Sequence, residues 1–340
     1  MASTWNALIL LIILSILLQQ TKHAGSIGVN YGLNGDNLPN PATVVQLFNS
    51  HGIQKLRLFA PNNQVQQALE GTNIYVSLGV ANDDLANLAG SQAAANEWVG
   101  TNILPFSKTL YQYVTVGNEA IPGPNSQQVA PAMRNIKTAL NSAGLSQIMV
   151  TTVIADTALS FSFPPSQGAF SDEATPSITA VLQFLNEQEE PNRVLMVNVY
   201  PYFALAADPQ HVTLEYAQFT APGTVVHDHG LEYQNLFDAM VDAFYAAMEN
   251  VGGGSVGIAV SETGWPNGGQ SGITSPVLAE TYNQKLIDHV KNNGTPKRPS
   301  YVMDVFVFAM FNENQKTPGV EQCFGLFYPN GQPVYSIAFT

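Results

Sequence analysis

Residues 113–154 read YVTVGNEAIPGPNSQQVAPAMRNIKTALNSAGLSQIMVTTVI. A β-rich run, YVTV (113–116), gives way to a helical stretch at 127–142, where Val129, Met133, Ile136 and Leu140 recur at steps of three and four and mark one buried stripe. A second β-rich run, IMVTTVI (148–154), closes the segment. Strand, helix and strand at this spacing make a parallel βαβ unit. The same alternation extends in both directions. Further runs are IGVNY (27–31), KLRLF (55–59), IYVSLGV (74–80), VLMVNVY (194–200), VGIAV (256–260) and YVMDVFVFAMF (301–311), with helical patterns at 42–48, 176–186, 236–249 and 276–290. Eight βα units predict an α/β fold, the (β/α)8 TIM barrel, with a small subdomain inserted after strand six over about 203–233, where GTVVHDHG (223–230) is strand-like. A doubly wound sheet is the competing architecture. It lacks support because Gly28, Gly32 and Gly35 do not have the spacing of a nucleotide-binding fingerprint.

Composition narrows the function. The 340 residues are 45% hydrophobic and 11% charged, with 12 Lys plus Arg against 25 Asp plus Glu and a formal charge of −13. Such a field repels phosphate backbones and anionic headgroups, so neither nucleic acid nor a membrane surface is expected as partner. The 17 Phe, 13 Tyr and 3 Trp instead suit a neutral polar ligand with faces to stack on. A single cysteine, Cys323, excludes an internal disulfide and a cysteine-based zinc site. The apolar run ALILLIILSILL (7–18) is too short to span a bilayer and precedes Ala24-Gly25-Ser26, a small-x-small cleavage pattern. Residues 1–26 therefore read as a signal peptide and 27–340 as one catalytic barrel domain. A secreted, extracellular monomer is expected, with the vacuole the less favoured destination.

In a barrel of this kind, chemistry sits at the C-terminal ends of the strands. Two of those ends carry a carboxylate in an apolar setting: Glu119 after VTVGN and Glu262 in SETGWP. A carboxyl pair is what a glycosidase needs, one protonated to assist the leaving oxygen and one ionised. A separation of about 5–5.5 Å means retention and about 6.5–9.5 Å means inversion. Asn118 is placed to bond a sugar hydroxyl, and Tyr31, Phe59, Tyr200, Tyr202, Phe203 and Trp265 offer faces for a pyranose ring. His227-Asp228-His229 lacks a carboxylate cluster beside it, so no metal or other cofactor is expected. Asn293-Gly294-Thr295 is a glycosylation sequon compromised by the following Pro296.

Taken in order, IGVNYG (27–32), VTVGNE (114–119), MVNVYPYF (196–203), LEYAQF (214–219), FDAMVDAFYAAM (237–248), SETGWP (261–266), FAMFNENQK (308–316) and FGLF (324–327) closely resemble plant endo-1,3-β-glucosidases of glycoside hydrolase family seventeen. The resemblance implies hydrolysis of internal β-1,3 bonds in glucans with retention, a role in cell-wall turnover or defence, Glu262 as nucleophile and Glu119 as acid/base. It also implies that Glu313, Lys316 and Glu321 line the site. One departure stands out: Phe59-Ala60-Pro61 occupies the place where family members often have Tyr-Asp-Pro. Rival readings are a mixed-linkage 1,3;1,4-β-glucanase on the same scaffold, a weakly catalytic glucan-binding protein, and a transglycosylase.

Overall fold

A computed structural model describes residues 26–188 and 193–339. Apart from Ser26, the expected leader lies outside the described residues. Eight parallel strands close into a barrel: β1 (Ile27–Asn30), β2 (Lys55–Leu58), β3 (Tyr75–Val80), β4 (Leu110–Asn118), β5 (Met149–Ile154), β6 (Val194–Asn198), β7 (Gly257–Thr263) and β8 (Val305–Val307). Each pairs with its sequence neighbours, and β8 closes on β1 through Ile27 opposite Val305. Around the barrel run α1 (Pro41–Ser50), α2 (Asn63–Leu69), α3 (Leu85–Gly90), α4 (Gln92–Asn102), α5 (Ser126–Ser142), α6 (Thr175–Glu187), α7 (Pro201–Ala207), α8 (Leu214–Ala217), α9 (Leu236–Asn250) and α10 (Pro276–Asn292). The fold is the (β/α)8 barrel expected from the alternation of patterns. Among the described residues no helix is long and apolar enough to cross a membrane.

Strand alternation sorts side chains into two cores. Outward-facing Val29, Leu56, Leu78, Val114, Leu195, Ile258 and Val305 are buried under the helices. Inward-facing Tyr113, Val153, Val194, Met196, Ala259 and Phe306 form a separate cluster that fills the barrel. The barrel is thus a packed plug rather than a pore. Gly28 belongs to this packing, because a Cβ there would stand 2.4 Å from the Phe306 ring.

The eighth strand is shorter than the apolar run at 301–311. Beyond Val307 the backbone changes partners: Ala309 N–H donates to Phe324 O and Leu326 N–H to Ala309 O, so the chain leaves the ladder for the segment carrying FGLF. Conversely β4 extends past its apolar centre because Tyr75 and Val153 offer partners at its two ends. Helices α2, α3 and α4 were not singled out by periodicity; α2 and α4 are started by caps, Asn62 and Ser91, whose side-chain oxygens accept first-turn N–H groups. After β6 the chain forms α7, α8 and a hairpin of Val226–Asp228 with Leu231–Tyr233. Tyr216 and Tyr233 pack it against Ala239 of α9. Within HDH (227–229), Asp228 is buried and accepts from Ser166 N–H and Oγ–H, tying this excursion to the loop after β5.

The barrel floor holds an ion pair. Lys55 Nζ donates to Asp304 Oδ2 at 2.7 Å, and Tyr113 Oη, Gln112 Nε2 and Ser26 Oγ donate to the same carboxylate. Burial by itself would raise the Asp304 pKa, but the Lys55 charge and these bonds hold it below the ordinary value. Its contribution to stability is therefore complete above the unfolded-state pKa and is lost as pH falls through the lower folded-state value. Asp304→Asn leaves Lys55 buried without a counter-charge, at an expected cost of about 3–5 kcal/mol in urea unfolding at pH 7. A loss under about 1 kcal/mol would contradict this account of the floor.

Candidate active site

Both carboxylates singled out in the sequence stand at β-bulges. On β7 the register slips between Val260 and Glu262, and on β4 between Thr115 and Asn118. In a regular strand consecutive side chains point to opposite faces; an extra residue re-aims them. Ser261 and Glu262 consequently both reach Asn198 on β6: Ser261 Oγ donates to Asn198 Oδ1 at 2.7 Å, and Asn198 Nδ2 donates to Glu262 Oε1 at 3.1 Å. Thr263 then faces Tyr282 on the helix side. At β4 the bulge delivers Asn118 and Glu119 to the mouth together.

Asn198 Nδ2 also donates to Glu119 Oε1, at 2.6 Å. One amide nitrogen therefore spans the carboxyl pair. The two Oε1 atoms can be no farther apart than those two bonds laid end to end, 5.7 Å.

Glu262 has two further donors, Arg57 Nη1 at 2.8 Å and Tyr200 Oη at 2.9 Å. Arg57 is buried, and its fork also reaches Asn30 Oδ1 at 3.0 Å and Asn118 Oδ1 at 2.7 Å. Asn30 is fixed in turn by donating to the carbonyls of Ser261, Phe306 and Val307. Burial, with the neighbouring Glu262 charge, pushes the Tyr200 phenol well above its usual range, so it remains a donor. Glu119 sits in a different setting. The residue is open to the cleft, yet desolvation of its carboxyl is the largest influence and raises the pKa, reinforced by Glu262 and Asp156; the Asn198 bond and Arg57 oppose it. Only Glu262 has the three-donor shell that suits a charged oxygen.

The pair opens into a cleft of about 360 Å³ whose walls include Phe59, Tyr200, Phe203, Phe308, Lys316, Glu321 and Phe324. Phe59 lies 4.4 Å from the Arg57 guanidinium and Phe308 4.6 Å from Lys316 Nζ, so each cation rests on an aromatic face. A cavity of about 820 Å³ between the post-β5 loop and α9 is larger. It is mainly apolar and lacks the Glu119–Glu262 pair, so chemistry rather than size identifies the site.

The family profile described as Glycosyl hydrolases family 17 matches residues 27–339. The chain belongs to that family. It is therefore a glycoside hydrolase. Lichenase-2 of Hordeum vulgare is 50% identical over 92% of this chain and 98% of its own length. A glucan endo-1,3-beta-glucosidase of Vitis vinifera is 44% identical over the full length of both. The structure of a plant β-glucan endohydrolase, from a pair with distinct substrate specificities, is 49% identical, has a TM-score of 0.87, and covers 91% of this chain and 99% of its own.

Within this family 17 barrel, the sequence-derived residues divide into two groups. Phe59, Asn118, Glu119, Tyr200, Phe203, Glu262, Lys316 and Glu321 surround one cleft. Tyr31, Tyr202, Trp265 and Glu313 are buried behind it. Trp265 is wedged between Tyr202 and Tyr282 with Nε1–H on Ile273 O, which leaves no face for a sugar. Tyr202 donates to Gln270 Oε1, and Tyr31 packs edge-on against Phe311. Burial and the Glu313 charge push the Tyr31 phenol to about 12. Glu313 accepts from Asn34 N–H at 2.6 Å, pinning the loop after β1 to the loop after β8; its own pKa is raised by burial.

Arg57, Asn198, Phe308 and Phe324 were not identified from sequence. A signal for Arg57 was present: an arginine inside the apolar strand KLRLF must find an acid if it points inward. Asn198 is a polar residue within VLMVNVY, visible by the same logic.

Because the Asp156 charge raises the Glu119 pKa, removing it lowers that pKa. Asp156→Asn should shift the Glu119 titration to lower pH in carboxyl-carbon NMR. An unchanged or higher midpoint would show that Asp156 exerts no field at the site.

Proposed function

We propose that the protein is a secreted, endo-acting hydrolase of β-1,3-glucans that works by double displacement with retention. The observation that carries the mechanism is the shared Asn198 amide, which limits the Oε1 atoms of Glu119 and Glu262 to at most 5.7 Å. That supports the retaining spacing of about 5–5.5 Å over the inverting range of about 6.5–9.5 Å. Glu262 Oε attacks the anomeric carbon as the glycosidic C–O bond breaks, and Glu119 gives its proton to the departing sugar oxygen. Glu119, now a carboxylate, then takes a proton from water whose oxygen attacks the same carbon and releases Glu262. Tyr200 and Arg57 hold the nucleophile in line, and Asn118, anchored by Arg57, is offered to the hydroxyl beside the reacting carbon.

The linkage assignment draws on the Vitis vinifera relative and on the motif resemblance along the chain. A second reading, mixed-linkage 1,3;1,4-β-glucan, is favoured by one observation, the 50% identity to a protein named Lichenase-2. For the remaining readings, the family match beginning at residue 27 agrees with a leader at 1–26 and one catalytic domain after it. Delivery outside the cell as a monomer, for wall turnover or defence, completes the proposal.

Proton NMR of the first products from laminarin should show the β-anomer before mutarotation, and Glu262→Gln should lower kcat by at least about 10³-fold with the fold intact. Initial α-anomer would overturn the retaining mechanism. Faster cleavage of barley mixed-linkage glucan than of laminarin would transfer the assignment to the second reading.

A further inference from the structure

The turn that presents Glu119 is held from outside the cleft. Asn118 stands between two left-handed positions, Gly117 at φ 80° and Glu119 at φ 52°. For a glutamate that conformation is disfavoured and persists only when neighbours enforce it. Pairing of β3 with β4 reaches Val80 opposite Val116, after which the β3 chain turns away into a short helical turn at Asn82–Asp84. The Asn82 side chain takes over where the backbone has left. Its Oδ1 accepts from Asn118 N–H at 2.8 Å, and its Nδ2 donates to Asn118 O at 2.9 Å. Asn82 is itself moored, because Asn125 Nδ2 donates to its carbonyl.

The second of those bonds matters most. Asn118 C=O belongs to the same peptide unit as Glu119 N–H, and that N–H donates to Val153 O on β5 at 2.9 Å. The peptide plane feeding Glu119 is thus gripped at both ends, by a side chain on one flank and a strand on the other. Its rotation sets the direction in which the Glu119 carboxyl points. Gly117 fits the same clamp: a Cβ there would meet Leu85 at 3.2 Å and Asn82 Oδ1 at 3.3 Å.

We propose that Asn82 is a positioning residue for proton transfer, clamping the Asn118–Glu119 peptide so that the acid meets the leaving oxygen. This rests on the acid/base role proposed above for Glu119. Both Asn82 bonds are exposed to water, so they add little to global stability. Small displacements of a proton donor nonetheless cost rate steeply.

The test compares two substrates carrying the same sugar, a laminari-oligosaccharide and its dinitrophenyl β-glycoside, whose leaving group departs without a proton. For Asn82→Ala, kcat/KM on the oligosaccharide should fall at least about tenfold while that on the dinitrophenyl glycoside stays within about twofold. Its kcat on the dinitrophenyl glycoside should fall because deglycosylation needs Glu119 as base, and azide, a nucleophile needing no base, should restore that kcat. Should the alanine variant fail to fold, Asn82→Asp, which keeps an acceptor for Asn118 N–H but cannot donate to Asn118 O, should show the same split. Equal losses on both substrates, or no loss on either, would overturn the proposal. Glu119→Gln run alongside separates the two readings. If it shows the leaving-group split and Asn82→Ala does not, only the positioning role fails; if it keeps full activity on the oligosaccharide, the acid/base assignment itself fails.

Discussion

Arg57 is 1% exposed in the upper layer of a packed barrel, and a guanidinium so placed costs several kcal/mol of desolvation unless partners surround it. Its partners are the site: Glu262, Asn118 and Asn30 accept from it, and Phe59 covers its face. Asn30 then fastens this layer to the carbonyls of β7 and β8. A buried ion pair of this kind is a poor source of net stability. Its value is geometric, because a planar fork fixes several acceptors at once. Among the described residues no protein group bonds Arg57 Nε.

The same network separates the two carboxylates chemically. Glu262 sits among a cation, a phenol and an amide, whereas Glu119 shares only the amide and stands at the open side with its pKa raised by desolvation. Two glutamates on one ring of strand ends thereby acquire different environments, the separation that the proposed acid and nucleophile roles require at one pH. The bulges on β4 and β7 supply the geometry. Each interrupts the two-residue period where a strand must present neighbouring side chains to the same space.

Much of this was legible in the sequence. The barrel followed from alternation, since strands buried on both faces read as apolar runs such as VLMVN and helices show stripes such as Val129, Met133, Ile136 and Leu140. Glu119 and Glu262 followed from their position at strand ends. Less legible was what depends on registration between distant segments. Trp265 has the chemistry of a sugar platform, yet packing against Tyr202 and Tyr282 buries it. Glu313 reads as a cleft acid, but the close approach of Gly32 and Asn34 makes it a tether between loops. Arg57 looked like part of a strand because pattern reading ranks residues by period and does not ask where an inward charge finds its partner.

In the proposed mechanism Glu262 attacks the anomeric carbon within a carboxyl pair bridged by Asn198. A 2-deoxy-2-fluoro glycoside with a dinitrophenyl leaving group slows the second displacement and traps any glycosyl-enzyme intermediate, whose site is read by peptide mass spectrometry. A single sugar adduct on Glu262 is the predicted result. An adduct on Glu119, or steady turnover by a folded enzyme with no covalent species, would contradict it.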